Sequence, residues 1–144
     1  MSNSTTWSSR TMKWLRRRSP RTDLPELANL EQLAEALEAG RLVVYKHSPL
    51  CALSALTKSR VRAFAASCPD LPVYLVDVIA RRDVSAEIVR QFGIAHASPQ
   101  AIVIVDGTPV WADSHSAITE DALEHAVKCG KFQPHSQEMD SNDS

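Results

Sequence analysis

The stretch Lys46-His47-Ser48-Pro49-Leu50-Cys51-Ala52-Leu53-Ser54 is where side-chain types and spacing allow chemistry. Before it, Leu42-Val43-Val44-Tyr45 is a short apolar run rich in β-formers, the mark of a buried strand over 42–46. After it, Leu53, Leu56, Val61, Phe64 and Ala65 recur at helical spacing, which predicts a helix from about 51 to 66. Cys51 therefore stands at a strand-to-helix handover, where unpaired backbone N–H groups and the helix dipole favour negative charge. A thiol held there loses its proton more readily than free cysteine, which titrates near ~8.5. The competing reading makes Cys51 a small buried hydrophobe, the common fate of a lone cysteine. Lys46 and His47 can favour the thiolate electrostatically, or can be a solvated strand end. Ser54 can donate to the sulfur, or can be a small residue in the first helical turn.

The remaining composition narrows the chemistry. Sixteen basic against seventeen acidic side chains leave a net charge of −1, which speaks against a dedicated nucleic-acid binder. Three cysteines, Cys51, Cys68 and Cys129, are far apart, and no C-x-x-C pair exists. A dithiol redox motif and a paired-cysteine zinc site are therefore both excluded, and the pattern suits a reducing cytoplasm. His125 and Cys129 have metal-compatible spacing, but two ligands do not make a site, so no metal is expected. Cys68 reads as packing or surface. No apolar run approaches the ~20 residues of a membrane span, so no membrane contact is assigned.

These residues need a frame, and 144 residues suit one domain with chain left over at both ends. Residues 1–22 collect Arg10, Lys13, Arg16, Arg17, Arg18 and Arg21 among Ser and Thr, and read as a disordered basic extension. A basic arm that touches a membrane, nucleic acid or receptor is the alternative, and Met12 is an alternative start. The domain is expected over 23–132, followed by a disordered polar tail from 133 to 144. Asn29 with Gln32 forms a capping-box pattern ahead of a helix through Ala39, stopped by Gly40. Pro69, Asp70 and Pro72 break the chain before a strand at Val73–Val78. Ser85 caps a short helix ending at Phe92-Gly93. Ala101–Val105 is apolar throughout and predicts a strand buried on both faces. Asp106-Gly107 turns the chain into an edge strand at Val110–Ser114, after Pro109. Thr119 opens a last helix to Lys128.

The order α-β-α-β-α-β-β-α implies an α/β fold: a mixed four-stranded sheet flanked by helices, with parallel connections through the first crossovers. This is the thioredoxin-like arrangement, whose reactive cysteine follows the first of these strands, as Cys51 does. Ser98-Pro99-Gln100 leads into the central strand. An X-Pro bond is trans by default, since only about 5–6% are cis. In this fold, however, a cis-proline at that point faces the cysteine, and its neighbouring backbone pairs with the substrate chain. His96 and His115 flank the hairpin and could approach the site, but the favoured reading for both is an ordinary loop residue.

Lys46-His47-Ser48 with Cys51 and Ser54, Ser98-Pro99-Gln100, Asp106-Gly107, and Ser114-His115 with Ile118-Thr119 resemble the monothiol bacilliredoxin family, small proteins of the bacillithiol system. The resemblance spans residues 24–128, and Met12-Lys13-Trp14-Leu15 is similar to how such proteins begin. The chain departs from it around the sulfur, where Leu50, Ala52 and Leu53 replace the usual Thr-Cys-Pro-Ile-Ser surroundings. Loss of that proline either frees an N–H for the sulfur or loosens the first turn. The resemblance implies a monothiol thiol–disulfide oxidoreductase that removes bacillithiol, or a similar low-molecular-weight thiol, from client-protein mixed disulfides through Cys51. That thiol is a co-substrate and no bound cofactor is implied; a separate thiol or disulfide reductase restores the sulfur. Ser98, Pro99 and Gln100 would bind the substrate chain. The alternatives are a redox-inactive module that docks extended peptides and, more weakly, a thiol peroxidase.

Overall fold

A computed structural model describes residues 24–129, with the side chain of Cys129 outside the description. The basic stretch 1–22 and the tail from 133 lie outside the described residues. Helix α1 (Leu30–Ala36), strand β1 (Arg41–His47), helix α2 (Ala52–Ser67), β2 (Val73–Asp77), α3 (Arg82–Phe92), β3 (Gln100–Val105), β4 (Thr108–Ser114) and α4 (Glu120–Cys129) follow in that order, with a 3-10 turn at His115–Ala117. No described helix is long and apolar enough to cross a membrane.

The sheet runs β2-β1-β3-β4. β1 pairs in parallel with β2, as its crossover through α2 demands, and antiparallel with β3. The second crossover thus departs from the parallel connection expected for it. The segment 93–99 carries the chain back to the end of the sheet that β2 left, so β3 starts beside the end of β1, with Lys46 opposite Gln100. Strand alternation then divides the core. Val43, Tyr45, Ala101 and Val103 face α2 and α4, where Val61, Phe64, Leu123 and Ala126 meet them. Leu42, Val44, Ile102 and Ile104 face α1 and α3, against Leu33, Val84 and Ile88. A central strand covered on both faces has no polar side, which is why Ala101–Val105 reads as an unbroken apolar run.

The element ends follow local chemistry. Asn29 Oδ1 accepts the Gln32 N–H at 2.8 Å, but Gln32 Oε1 accepts from Ala28 at 2.7 Å rather than from Asn29, so the capping box is shifted by one residue. α1 ends at Ala36, with a turn through Ala39 before Gly40. Ser85 is not the cap of α3. Asp77 Oδ1 accepts the N–H groups of Ile79 and Ala80, turning the chain early, and the helix starts at Arg82 with Ser85 buried in its first turn. Gly93 closes it at φ +70°, a left-handed conformation that suits glycine. β4 includes Pro109, tolerated because β4 is an edge strand and the register slips beside Ile104. Thr119 Oγ1 accepts the Ala122 N–H and caps α4.

Candidate active site

β1 delivers its last residue, His47, into a tight turn. The Cys51 N–H donates to the Ser48 carbonyl at 3.2 Å, with Pro49 at the position its fixed φ favours. The Ser48 N–H donates to Ser54 Oγ at 3.3 Å, which ties the turn to the helix it precedes. Cys51 is the N-cap of α2, extended at φ −112°, ψ 123°, and its carbonyl accepts the first helical hydrogen bond, from Ala55. The sulfur is half-exposed.

The Cys51 side chain closes no short cap hydrogen bond. The donors of the first turn nevertheless act on its charge. The Ser54 backbone N–H, then the Ser54 hydroxyl and the Leu53 N–H, hold the thiol below its ordinary value against a smaller opposing effect of burial. Leu53 and Ser54 are the second and third residues of the helix, whose N–H groups are unsatisfied in any α-helix. Both groups lie beyond position 52, so the donors that favour the thiolate do not depend on whether Ala52 or proline follows the cysteine.

Tyr45, a core strand residue by pattern, also reaches the site. Its hydroxyl donates to the Ser54 carbonyl at 2.8 Å and lies 3.4 Å from His47 Nδ1, with the two rings 5.8 Å apart. Burial, reinforced by the neighbouring Cys51 charge, pushes the phenol well above its usual range. Tyr45 thus stays neutral and fixes the carbonyl of the residue whose N–H serves the sulfur.

Alternation along β1 separates the two residues expected to aid the thiolate. His47 shares the α2 face with Tyr45. Lys46 points to the other face with Val44, fully buried, its Nζ 3.3 Å from His96 Nδ1. Burial pulls this ammonium down to about 8. Gln100, opposite Lys46, is also turned that way: Nε2 donates to the Ala95 carbonyl at 3.0 Å, and Oε1 is buried without a partner. Lys46 and Gln100 thus grip the 95–98 loop from below.

That loop ends in the Ser98–Pro99 peptide, which is cis. It lies one residue beyond the Lys46–Gln100 pair, at the end of the sheet where β1 leads into the turn before Cys51. The Pro99 carbonyl accepts the N–H of His115 at 3.0 Å, with His115 at φ +58°. Ser54, Tyr45 and His47 therefore gather on the cysteine's side, Pro99 sits at the seam, and Lys46 and Gln100 lie behind. Sequence reasoning missed Tyr45 and set aside His96 and His115 as loop residues. Strand alternation and the Lys46–Gln100 register would have been needed to find them. A cleft of about 880 Å³ is lined by Gly40, Arg41, Cys68 and Lys128 among others, at the opposite end of β1 and α2 from Cys51, so volume alone does not mark the chemistry.

Residues 22–123 match the sequence model of the family described as monothiol bacilliredoxin BrxC. The chain belongs to the monothiol bacilliredoxin family. A solved structure described as having a thioredoxin fold is 30% identical, with a TM-score of 0.68, over 72% of this chain and 92% of the other. Thioredoxin from Fasciola hepatica, at 22% identity and TM-score 0.63, covers 75% of this chain and all of its own, and mitochondrial thioredoxin 3 from Saccharomyces cerevisiae, at 20% and 0.63, covers 76% and 98%. The last two show the fold. The fold is thioredoxin-like, and thiol redox chemistry is what membership of this family carries.

Two outcomes follow from the geometry. Ala52→Pro meets a preceding residue already in the extended region that proline requires. It should stabilise this bacilliredoxin-family protein by about 0.4–1 kcal/mol in urea unfolding while leaving the Cys51 titration, followed by thiolate absorbance, unmoved. Ser54→Ala should move that titration upward. For Lys46, the folded chain releases the proton near 8 and the unfolded chain near 10.5, so between those values the unfolded state holds more protons. Stability of the natural chain relative to Lys46→Met should therefore rise from pH 8 to 10.5, and a flat difference across that window would contradict the buried ammonium.

Proposed function

We propose that this protein removes bacillithiol, or a similar low-molecular-weight thiol, from mixed disulfides of client proteins in the cytoplasm. The observation that carries the reading is Cys51 itself: half-exposed, at the head of α2, with its thiol held below its ordinary value by first-turn donors. A module that only docked peptides would have no use for that setting, which favours the redox reading.

The Cys51 thiolate attacks the bacillithiol sulfur of the client disulfide. A Cys51–bacillithiol bond forms, the client S–S bond breaks, and the client cysteine leaves as thiolate. The Ser54 position, three residues on, holds a hydroxyl where a dithiol enzyme would carry its second cysteine, so no neighbouring sulfur resolves the adduct. A second thiol or a separate reductase attacks it, takes up the bacillithiol in a new disulfide and restores the Cys51 thiolate. The Ser98–Gln100 segment, beside the site, lays the client chain alongside as an added strand. The bacillithiol molecule is substrate throughout.

Intact-mass analysis after mixing the reduced chain with a bacillithiolated client tests this directly. The bacillithiol mass should move from the client to Cys51, transfer should vanish in Cys51→Ala, and Cys68→Ser should transfer as the natural chain does. Transfer that persists in Cys51→Ala would contradict the proposal.

A further inference from the structure

A second polar centre lies on the face of the sheet away from Cys51. Lys46 occupies a strand position that continues Leu42 and Val44, and it is buried as completely as they are. One of its three ammonium donors is matched, by His96 Nδ1 at 3.3 Å, and the other two have no partner among the described residues. Asp77, paired with His47 across β1 and β2, accepts from the Ile79 and Ala80 amides, and Asp83 at the start of α3 accepts from that of Val84. A buried cation without a counter-charge is costly, and an anion brought near it lowers that cost.

An ammonium has no lone pair, so Nδ1 of His96 must accept, and the ring proton sits on Nε2. Ser85 Oγ lies 3.4 Å from the same Nδ1, and with that tautomer its hydroxyl is the donor. Partial burial and the Lys46 charge keep His96 below its usual value, so the ring stays neutral and its N–H is polarised by the cation behind it. The exposed His96 ring lines a cleft of about 470 Å³ together with Arg82, Ser85, Val78, Ala86 and Val89. Its polar groups are a guanidinium, a hydroxyl and an imidazole backed by an ammonium, and its remaining wall is apolar. No acidic side chain lines it. Arg82 and Ser85 belong to the first turn of α3, where the helix dipole has the same sign.

We propose that this cleft binds a small organic carboxylate, with Arg82 pairing to the carboxylate and His96 transmitting the Lys46 charge to it. The guanidinium fork matches a carboxylate, and Val78, Ala86 and Val89 take its carbon skeleton, which inorganic phosphate lacks. The site is separate from the sulfur and does not depend on the reaction assigned to Cys51.

Titration of the full chain with succinate, followed through the His96 ring signals by NMR, tests the assignment. A saturable shift is expected, weakened about tenfold or more by Arg82→Ala through loss of a charge-assisted pair, and unchanged in Cys51→Ser. Inorganic phosphate should bind more weakly than succinate. Absence of a saturable shift, equal binding by Arg82→Ala, or phosphate binding as tightly as succinate would overturn it. An unchanged KM for a protein client in the presence of succinate supports a free small molecule as the ligand; competition would overturn that and give the cleft to an acidic side chain of the client.

Discussion

The attraction between a sulfur anion and the unsatisfied N–H groups of a helix's first turn is the interaction on which the site depends. It requires the cysteine to be the N-cap, extended, with residues 53 and 54 presenting their amides to it. The Ser48–Cys51 turn supplies that placement, and Ser54 secures it twice, by accepting from Ser48 and by holding Tyr45 through its carbonyl. Ser54 is fully buried, so its hydroxyl belongs to the frame as much as to the chemistry.

The two-faced sheet explains how one short sequence serves two regions. Successive residues of β1 alternate, so Tyr45 and His47 meet the cysteine's helix while Lys46 and the paired Gln100 meet the loop behind. Reversal of β3 relative to β1 is what makes this possible. It brings the start of β3, with the cis Ser98–Pro99 peptide, to the end of β1 that leads to Cys51. The hairpin return adds the last tie, from His115 to the Pro99 carbonyl.

Much of this was legible in the chain. Period switching at Cys51, the unbroken apolar run at 101–105 and the Asp106-Gly107 turn were enough for the order of elements, the mixed sheet and the place of the cysteine. What the sequence withheld is long-range or atomic. The direction of β3 depends on how the segment 93–99 runs, which no local pattern states. The start of α3 was misplaced because Asp77, eight residues before Ser85, turns the chain through its own carboxylate. Lys46 looked like a helper of the thiolate because it is near Cys51 in sequence, whereas pleat parity sends it to the opposite face. His96 was legible only through its contact with Lys46, fifty residues away.

The pH dependence of Cys51 alkylation by iodoacetamide, measured on the full chain with Cys51→Ser to subtract the other thiols, tests the central claim most directly. The reaction should reach half its limiting rate at a pH below the ~8.5 of free cysteine, because first-turn donors stabilise the thiolate. A midpoint at or above that value would mean the helix head does not ionise the sulfur, and the redox assignment would lose its physical basis.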